Sequence, residues 1–214
     1  MSLNSEQQEL FDRAVEQRLS FYYGGVAGTG KTHVGQAIID GFGRMKLLVC
    51  ICAPTGQAAQ LLNGFTIHTI FGLIPSRNND GTQTFKKEWR LQRVLEDADV
   101  IIIDEMSMVS RQLFDDMDTR MKRLRRSRLP FGGVQVIGLG DFLQLPPVGD
   151  KKTSAGQFSF QSGAFNAVFG SGMFRLVQQM RQGDDLTYAK ALDSVRAGAC
   201  TPECVALLRT RLYG

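Results

Sequence analysis

One octapeptide constrains this chain more than any other stretch: Gly25-Val26-Ala27-Gly28-Thr29-Gly30-Lys31-Thr32. It reads G-x-x-x-x-G-K-T, and its surroundings give the pattern a physical meaning. Leu19-Ser20-Phe21-Tyr22-Tyr23, just before it, is a short apolar and aromatic run that predicts a buried strand; Val34-Gly35-Gln36-Ala37-Ile38-Ile39, after it, continues as a helix. Glycines in such a turn let backbone N–H groups face phosphates, and the helix N-terminus adds positive partial charge. In this frame Gly25, Ala27, Gly28, Thr29 and Gly30 wrap the phosphates, Lys31 reaches the β- and γ-phosphates, and the Thr32 hydroxyl holds Mg²⁺. A nucleoside triphosphate site is expected.

The rest of the 214-residue chain supplies a sheet to carry that loop. Residues 4–19 predict a helix capped by Asn4 or Ser5, with Leu10, Phe11, Ala14 and Val15 on one apolar face. Residues 46–53 are apolar almost throughout, as in a parallel strand covered on both faces, and end in Pro54-Thr55-Gly56. Residues 99–103 predict a third core strand, 133–139 a fourth and 174–177 a fifth. Between the third and fourth, Ser110 caps a helix to about residue 126 with Leu113, Met117, Met121 and Leu124 on one stripe. Strands alternating with helical patterns predict an α/β fold with a mostly parallel sheet of about five strands. The polar motifs fall at the carboxyl ends of these strands, where such sheets bind ligands.

Asp104-Glu105 closes the third strand, so both carboxylates reach one edge of the sheet. At that position Asp104 binds Mg²⁺ directly or through water, and Glu105 polarises an attacking water. Gln144, just past the fourth strand, puts an amide where a γ-phosphate is sensed, and Arg181, after the fifth, offers transition-state positive charge; a loop amide and a surface arginine are the plain alternatives. Cys50, Cys52, Cys200 and Cys204 lack the spacing of a standard zinc site and read as small apolar core residues in a reducing compartment. The net charge of +4 favours a polyanionic partner only mildly. No apolar run approaches the ~18–20 residues of a membrane span, and the polar first residues do not resemble a secretory signal.

Taken together these motifs resemble the Pif1/RecD-like group of superfamily 1 DNA helicases. Leu3-Asn4-Ser5-Glu6-Gln7 is similar to its adenine-reading Q motif, residues 25–32 to motif I, and Ala53-Pro54-Thr55-Gly56-Gln57-Ala58-Ala59 to motif Ia. Thr66-Ile67-His68-Thr69 resembles a segment that touches single-stranded DNA. Ile102-Ile103-Asp104-Glu105-Met106-Ser107-Met108-Val109 resembles motif II, residues 113–133 the signature region, Gly140-Asp141-Phe142-Leu143-Gln144-Leu145-Pro146-Pro147-Val148 motif III, and Met180-Arg181-Gln182 motif IV. The resemblance covers nearly the whole chain in the family's motif order. It implies a RecA-like P-loop NTPase domain using ATP and Mg²⁺ to translocate 5′-to-3′ on single-stranded DNA and at DNA junctions. Lys31, Glu105, Gln144 and Arg181 take the catalytic roles, Gln7 contacts the base, and Pro54, Thr55, Gly56 and His68 line the DNA path. An intracellular, monomeric protein is implied: nuclear or mitochondrial in a eukaryote, cytoplasmic in a bacterium or virus.

The family continues into a second RecA-like domain with motifs V and VI, and neither motif is found before Gly214. Residues 1–214 are therefore expected to form the first motor domain, with a small accessory insertion around 73–95 and weak or undetectable hydrolysis on their own. The basic run containing Arg120, Lys122, Arg123, Arg125, Arg126 and Arg128 reads as a solvated face or a phosphate contact, and Trp89 as a base-stacking or a core residue. Two alternatives stay open: a P-loop kinase or metabolic NTPase, and a module that binds nucleotide or DNA without turnover.

Overall fold

The computed structural model describes residues 2–212 apart from 27, 78–82, 86–87, 150, 171 and 181–184. Its elements, in chain order, are α1 (Ser5–Val15), β1 (Phe21–Gly25), α2 (Lys31–Arg44), β2 (Val49–Ala53), α3 (Gly56–Leu61), β3 (Phe65–Thr66), α4 (Ile67–Phe71), β4 (Leu73–Arg77), β5 (Gln83–Phe85), α5 (Trp89–Asp97), β6 (Val100–Ile103), α6 (Arg111–Leu124), β7 (Gln135–Gly140), α7 (Gly163–Phe169), β8 (Met173–Leu176), α8 (Asp185–Arg196) and α9 (Pro202–Leu212). Six strands form one sheet in the order β3-β2-β6-β7-β1-β8, and β4 with β5 makes a separate two-stranded antiparallel sheet. Every pairing in the larger sheet is parallel. The α/β reading holds, with one strand more than the five expected: β3, two residues long, is too short to show a period in the sequence.

Several predicted boundaries move inward, each time because the backbone turns left-handed. The first helix stops at Val15 rather than running to Leu19, since Arg18 has φ 56°. β2 begins at Val49 rather than Lys46, where φ is 59°. α6 ends at Leu124, short of Arg126 with φ 49°. A right-handed helix cannot continue through such a residue.

Alternation along the parallel strands sends apolar side chains to both faces of the sheet, which explains the unbroken apolar runs. Phe21, Tyr23, Val100, Ile102, Ile137 and Leu139 pack with Leu10 and Ala14 of α1 and Val34, Ile38 and Phe42 of α2. Tyr22, Cys50, Cys52, Ile101, Ile103 and Val136 point the other way, onto α4, α5, α6 and α7. The stripe read on α6 faces this second layer: Met117 and Met121 are fully buried, with Leu113 and Leu124 packed at the margin.

Polar side chains tie the layers together. Gln135, buried at the start of β7, donates through Nε2 to the carbonyls of Ala14 and Leu19, both at 2.8 Å. Asp118 on α6 accepts from the buried Phe131 N–H at 2.7 Å and from Lys122 Nζ at 2.6 Å, fixing a turn in which Phe131 and Gly132 have φ of 48° and 66°.

Three sequence readings are refined. The basic run divides: Arg120 is buried, Arg120 and Arg123 lie over the Phe85 ring, and Arg125 donates to the carbonyls of Glu96 and Ala98 at the end of α5, while Arg123, Arg125, Arg126 and Arg128 keep the exposure of a solvated face. Trp89 is 66% exposed with Arg90 over its ring, which removes the core reading. Cys50, Cys52 and Cys204 are buried free thiols, but Cys200 is exposed because it lies in the turn before α9.

The Asp118 anchor yields a stability prediction. Asp118→Ala strands a buried N–H and is expected to cost about 1–3 kcal/mol, read as a lower urea midpoint with unchanged slope; an unchanged midpoint contradicts the anchor.

Candidate functional site

The strand order gathers the motifs at one edge. β7 sits between β1 and β6, so the loop after β1, the carboxylates after β6 and the segment after β7 end side by side. β8 lies on the far side of β1 and brings residues 177–180 to the same edge.

The loop from β1 to α2 needs glycine where its backbone is left-handed, at Gly28 (φ 90°) and Gly30 (φ 79°). A Cβ on Gly30 would also approach Gln7 Nε2 to 2.5 Å. Gly30 is the N-cap of α2 and supplies no side-chain acceptor, and the first turn carries no acidic residue. By contrast, α1, α3, α4, α6 and α7 are each capped by a side chain, from Asn4, Thr55, Thr66, Ser110 and Ser162; α5 also lacks a side-chain cap, but its N-cap is the acidic Glu88. α2 thus presents free N–H groups and the positive end of a 14-residue helix, the arrangement that takes an anion.

Lys31 folds back over this loop, with Nζ donating to the carbonyls of Gly25 at 2.7 Å and Val26 at 3.2 Å. Burial lowers its pKa below the ordinary lysine value, while Asp141, Glu105 and Asp104 pull the other way and Arg196 adds to the lowering. Half-buried, it satisfies its ammonium with backbone oxygens that a phosphate replaces well. Thr29 is buried and donates to the Val26 carbonyl at 2.9 Å, whereas Thr32 is exposed in the first turn of α2. Ala27 and Arg181 lie outside the described residues.

Gln7 is fully buried beneath the loop. Its Nε2 donates to the Thr29 carbonyl at 3.2 Å, and its Oε1 accepts from the Asn4 N–H at 3.2 Å. The segment after β8 is held to both neighbours: Glu6 Oε2 of the same helix end accepts from the N–H groups of Val177 and Gln178, and the Met180 N–H donates to the Gly28 carbonyl in the loop.

Asp104 is 9% exposed, and its Oδ1 accepts from the Glu105 N–H at 2.7 Å. Burial pushes its pKa up to about 6, the Glu105 charge adding to the rise while the Glu105 N–H and Lys31 oppose it. Glu105 itself has φ 51° and ψ 46°, a left-handed conformation that costs a non-glycine residue energy and persists where the surroundings impose it. It turns the chain off β6 into a short 3₁₀ segment, Met106–Met108.

After β7, Asp141 is 3% exposed and central to a hydrogen-bond cluster. Its carboxylate accepts from the Leu143 N–H and from Gln144 Nε2, each at 3.2 Å, and takes a two-pronged bond from Arg196, Nε to Oδ2 at 2.5 Å and Nη2 to Oδ1 at 2.7 Å. Burial raises the Asp141 pKa, but these bonds, led by Arg196, outweigh it and hold the carboxyl below its ordinary range. In the sequence Asp141 enters only as part of the motif III stretch, with no role of its own, and Arg196, which ends α8 before Ala197-Gly198, carries no distinguishing pattern.

The residues read as a DNA path lie on the other half of the edge, at the ends of β2 and β3. Pro54 and Thr55 are partly buried, Gly56 is exposed, and Thr55 Oγ1 caps α3 by accepting from Ala58 N–H at 3.2 Å. His68 is exposed on α4. The two halves touch where the Asp104 N–H donates to the Cys52 carbonyl at 2.9 Å.

The buried Asp104 carboxyl gives a signed pH dependence. Its folded pKa lies above the unfolded value, so ionising it costs stability as pH rises through about 6. In nucleotide- and metal-free protein, Asp104→Asn is therefore expected to raise the melting temperature at pH 7.5 relative to the unmodified chain, the gain fading below about pH 4 where both side chains are neutral. A gain independent of pH contradicts the assigned cause.

Residues 2–201 match the sequence profile of the PIF1-like helicase family. The chain is 35% identical over 198 residues to the ATP-dependent DNA helicase PIF3 of Trypanosoma brucei brucei, covering 92% of this chain and 23% of that protein. It is 33% identical over 202 residues to the ATP-dependent DNA helicase PIF1 of Saccharomyces cerevisiae, covering 91% of this chain and again 23% of the relative. Among solved structures, a Bacteroides Pif1 helicase in complex with ADP-AlF3 and single-stranded DNA superposes with a TM-score of 0.84 at 29% identity, over 97% of this chain and 49% of that one. The chain therefore spans under a quarter of these two relatives' length, and its fold is the RecA-like α/β fold of Pif1 helicases. It belongs to the PIF1-like helicase family.

Proposed function

We propose that this chain is the first ATP-binding motor domain of a Pif1-like 5′-to-3′ DNA helicase, coupling hydrolysis to movement on single-stranded DNA within a larger protein. The observation that carries the reading is the uncapped N-terminus of α2, with Lys31 folded over it and carboxylates from two neighbouring strands beside it. The named relatives are ATP-dependent DNA helicases, and the Bacteroides structure holds both a nucleotide analogue and single-stranded DNA.

In this reading Gly25, Ala27, Gly28, Thr29 and Gly30 line the phosphates, and Lys31 exchanges its carbonyl partners for β- and γ-phosphate oxygens. Gln7 supports the loop from below through Thr29 and reads the base once nucleotide enters. Mg²⁺ keeps several waters and needs only one or two protein ligands, so Thr32 and Asp104 suffice alongside the phosphates. The donor chemistry fits, since a hydroxyl and a carboxylate are the hard oxygen ligands that Mg²⁺ takes. Bound there, Mg²⁺ neutralises charge developing on the phosphates. Glu105, held off the strand axis by its left-handed backbone, orients the attacking water; Gln144 senses the γ-phosphate, and Arg181 supplies positive charge to the transition state.

Pro54, Thr55, Gly56 and His68 form this domain's part of the DNA path, and DNA junctions are further substrates. The β4–β5 hairpin with α5 is the small insertion on the motor domain. A second RecA-like domain provides the opposite wall of the cleft, the assembled motor working as a monomer inside the cell.

Phosphate release with and without single-stranded DNA, measured on this chain and on any longer polypeptide containing it, tests the reading. The chain alone is expected to release little phosphate, and the longer protein to show a DNA-stimulated rate that Lys31→Ala lowers by at least about 100-fold. A rate that survives Lys31→Ala refutes the site; a strong DNA-stimulated rate from the monomeric chain refutes the need for a second domain.

A further inference from the structure

The last turn of α8 ends inside the cluster that surrounds Lys31. Arg196 engages both oxygens of Asp141, and the pair is nearly dry, with side chains 16% and 3% exposed. Nη1 of the same guanidinium takes Asp193 Oδ1 at 3.0 Å, which fixes the plane of the fork. α8 also contributes Lys190 and Asp193 to a cleft of about 230 Å³ shared with Val26 of the phosphate loop and Leu176 at the end of β8. The helix is thus seated against the site on two sides.

What Arg196 holds is the group that holds Gln144. Asp141 Oδ2 accepts Gln144 Nε2, its Oδ1 accepts the Leu143 N–H, and its main-chain carbonyl accepts the Gln144 N–H at 2.8 Å. A carboxylate with a single bond rotates about its last torsion. One gripped by a two-pronged guanidinium presents its remaining lone pairs in fixed directions, because the fork has one planar geometry. We propose that Arg196 is a positioning residue for γ-phosphate recognition: it locks the Asp141 carboxylate and thereby sets the Gln144 amide. Arg196 bonds Asp141 and Asp193, and its bearing on the γ-phosphate runs through Asp141 and Gln144. This rests on the reading of the cleft as a nucleoside triphosphate site with Gln144 facing the γ-phosphate. The plain alternative is that Arg196 merely staples α8 to the sheet.

Equilibrium binding of Mg·ADP and Mg·ATPγS to the 214-residue chain separates these. Arg196→Ala is expected to weaken ATPγS about tenfold while ADP changes by less than about twofold. Arg196→Lys, which keeps the charge but not the fork, recovers only part of that loss. Adding Arg196→Ala to Gln144→Ala weakens ATPγS no further than Gln144→Ala alone, since both act on one contact. Equal losses for the two nucleotides, full recovery by lysine, or additive losses in the double variant each overturn the positioning role while leaving the nucleotide site intact. An unmodified chain that binds neither nucleotide overturns the site reading and this proposal with it.

Discussion

A half-buried ammonium at the tip of a parallel sheet is the constraint around which this molecule is arranged. Lys31 has lost water and gained carbonyl partners from its own loop, and the surrounding field comes from three carboxylates and one guanidinium. A buried charge is tolerated only where partners are close and fixed. Each of those partners is fixed by a different element: Asp104 and Glu105 by β6, Asp141 by β7, Arg196 by α8. The site is therefore a product of strand order. Without β7 between β1 and β6, the acidic pair and the lysine would not share an edge at this spacing.

The packing beneath the edge explains its rigidity. Tyr22 and Tyr23 alternate across β1 and spend their hydroxyls on the site, Tyr22 on the Gly140 carbonyl and Tyr23 on the Lys31 carbonyl. Tyr22 also meets Phe142, which in turn meets Phe158, Phe160 and Phe165. Aromatic contacts of this kind favour tilted and edge-on geometry, and they carry the segment after β7 on a stiff apolar base. Core and chemistry are continuous here, because the side chains that fill one face of the sheet also end on the backbone of the loops above it.

The same sheet joins the nucleotide half of the edge to the half proposed for DNA. β2 and β6 are neighbours; of their last paired residues, Cys52 stands two residues before Pro54 and Ile103 directly before the Asp104-Glu105 pair. The two halves are thus joined by a shared ladder of hydrogen bonds rather than by a linker.

Local chemistry was legible in the sequence because it depends on short spacings. The phosphate loop needs glycine at left-handed positions beside a helix start, and 25–32 announce both; the acidic pair after an unbroken apolar strand is equally local, as are the caps at Asn4 and Ser110. The helix and strand ends were read too long wherever Arg18, Lys46 or Arg126 adopts a left-handed backbone, a choice made by packing and not by residue type. Within the basic run, the packing of Arg120 and Arg123 over Phe85 could not be read, because that cation–aromatic contact joins residues distant in the chain. Arg196 was invisible for the same reason: 55 residues separate it from Asp141, and nothing near it in sequence marks the pairing. The sequence by itself determined the motifs, the alternation of elements and the class of ligand, since these follow from periods of two to four residues. Only the tertiary structure decided which strand ends meet, which charges neutralise one another and which helix closes on the site, because those depend on the order in which a parallel sheet stacks its strands.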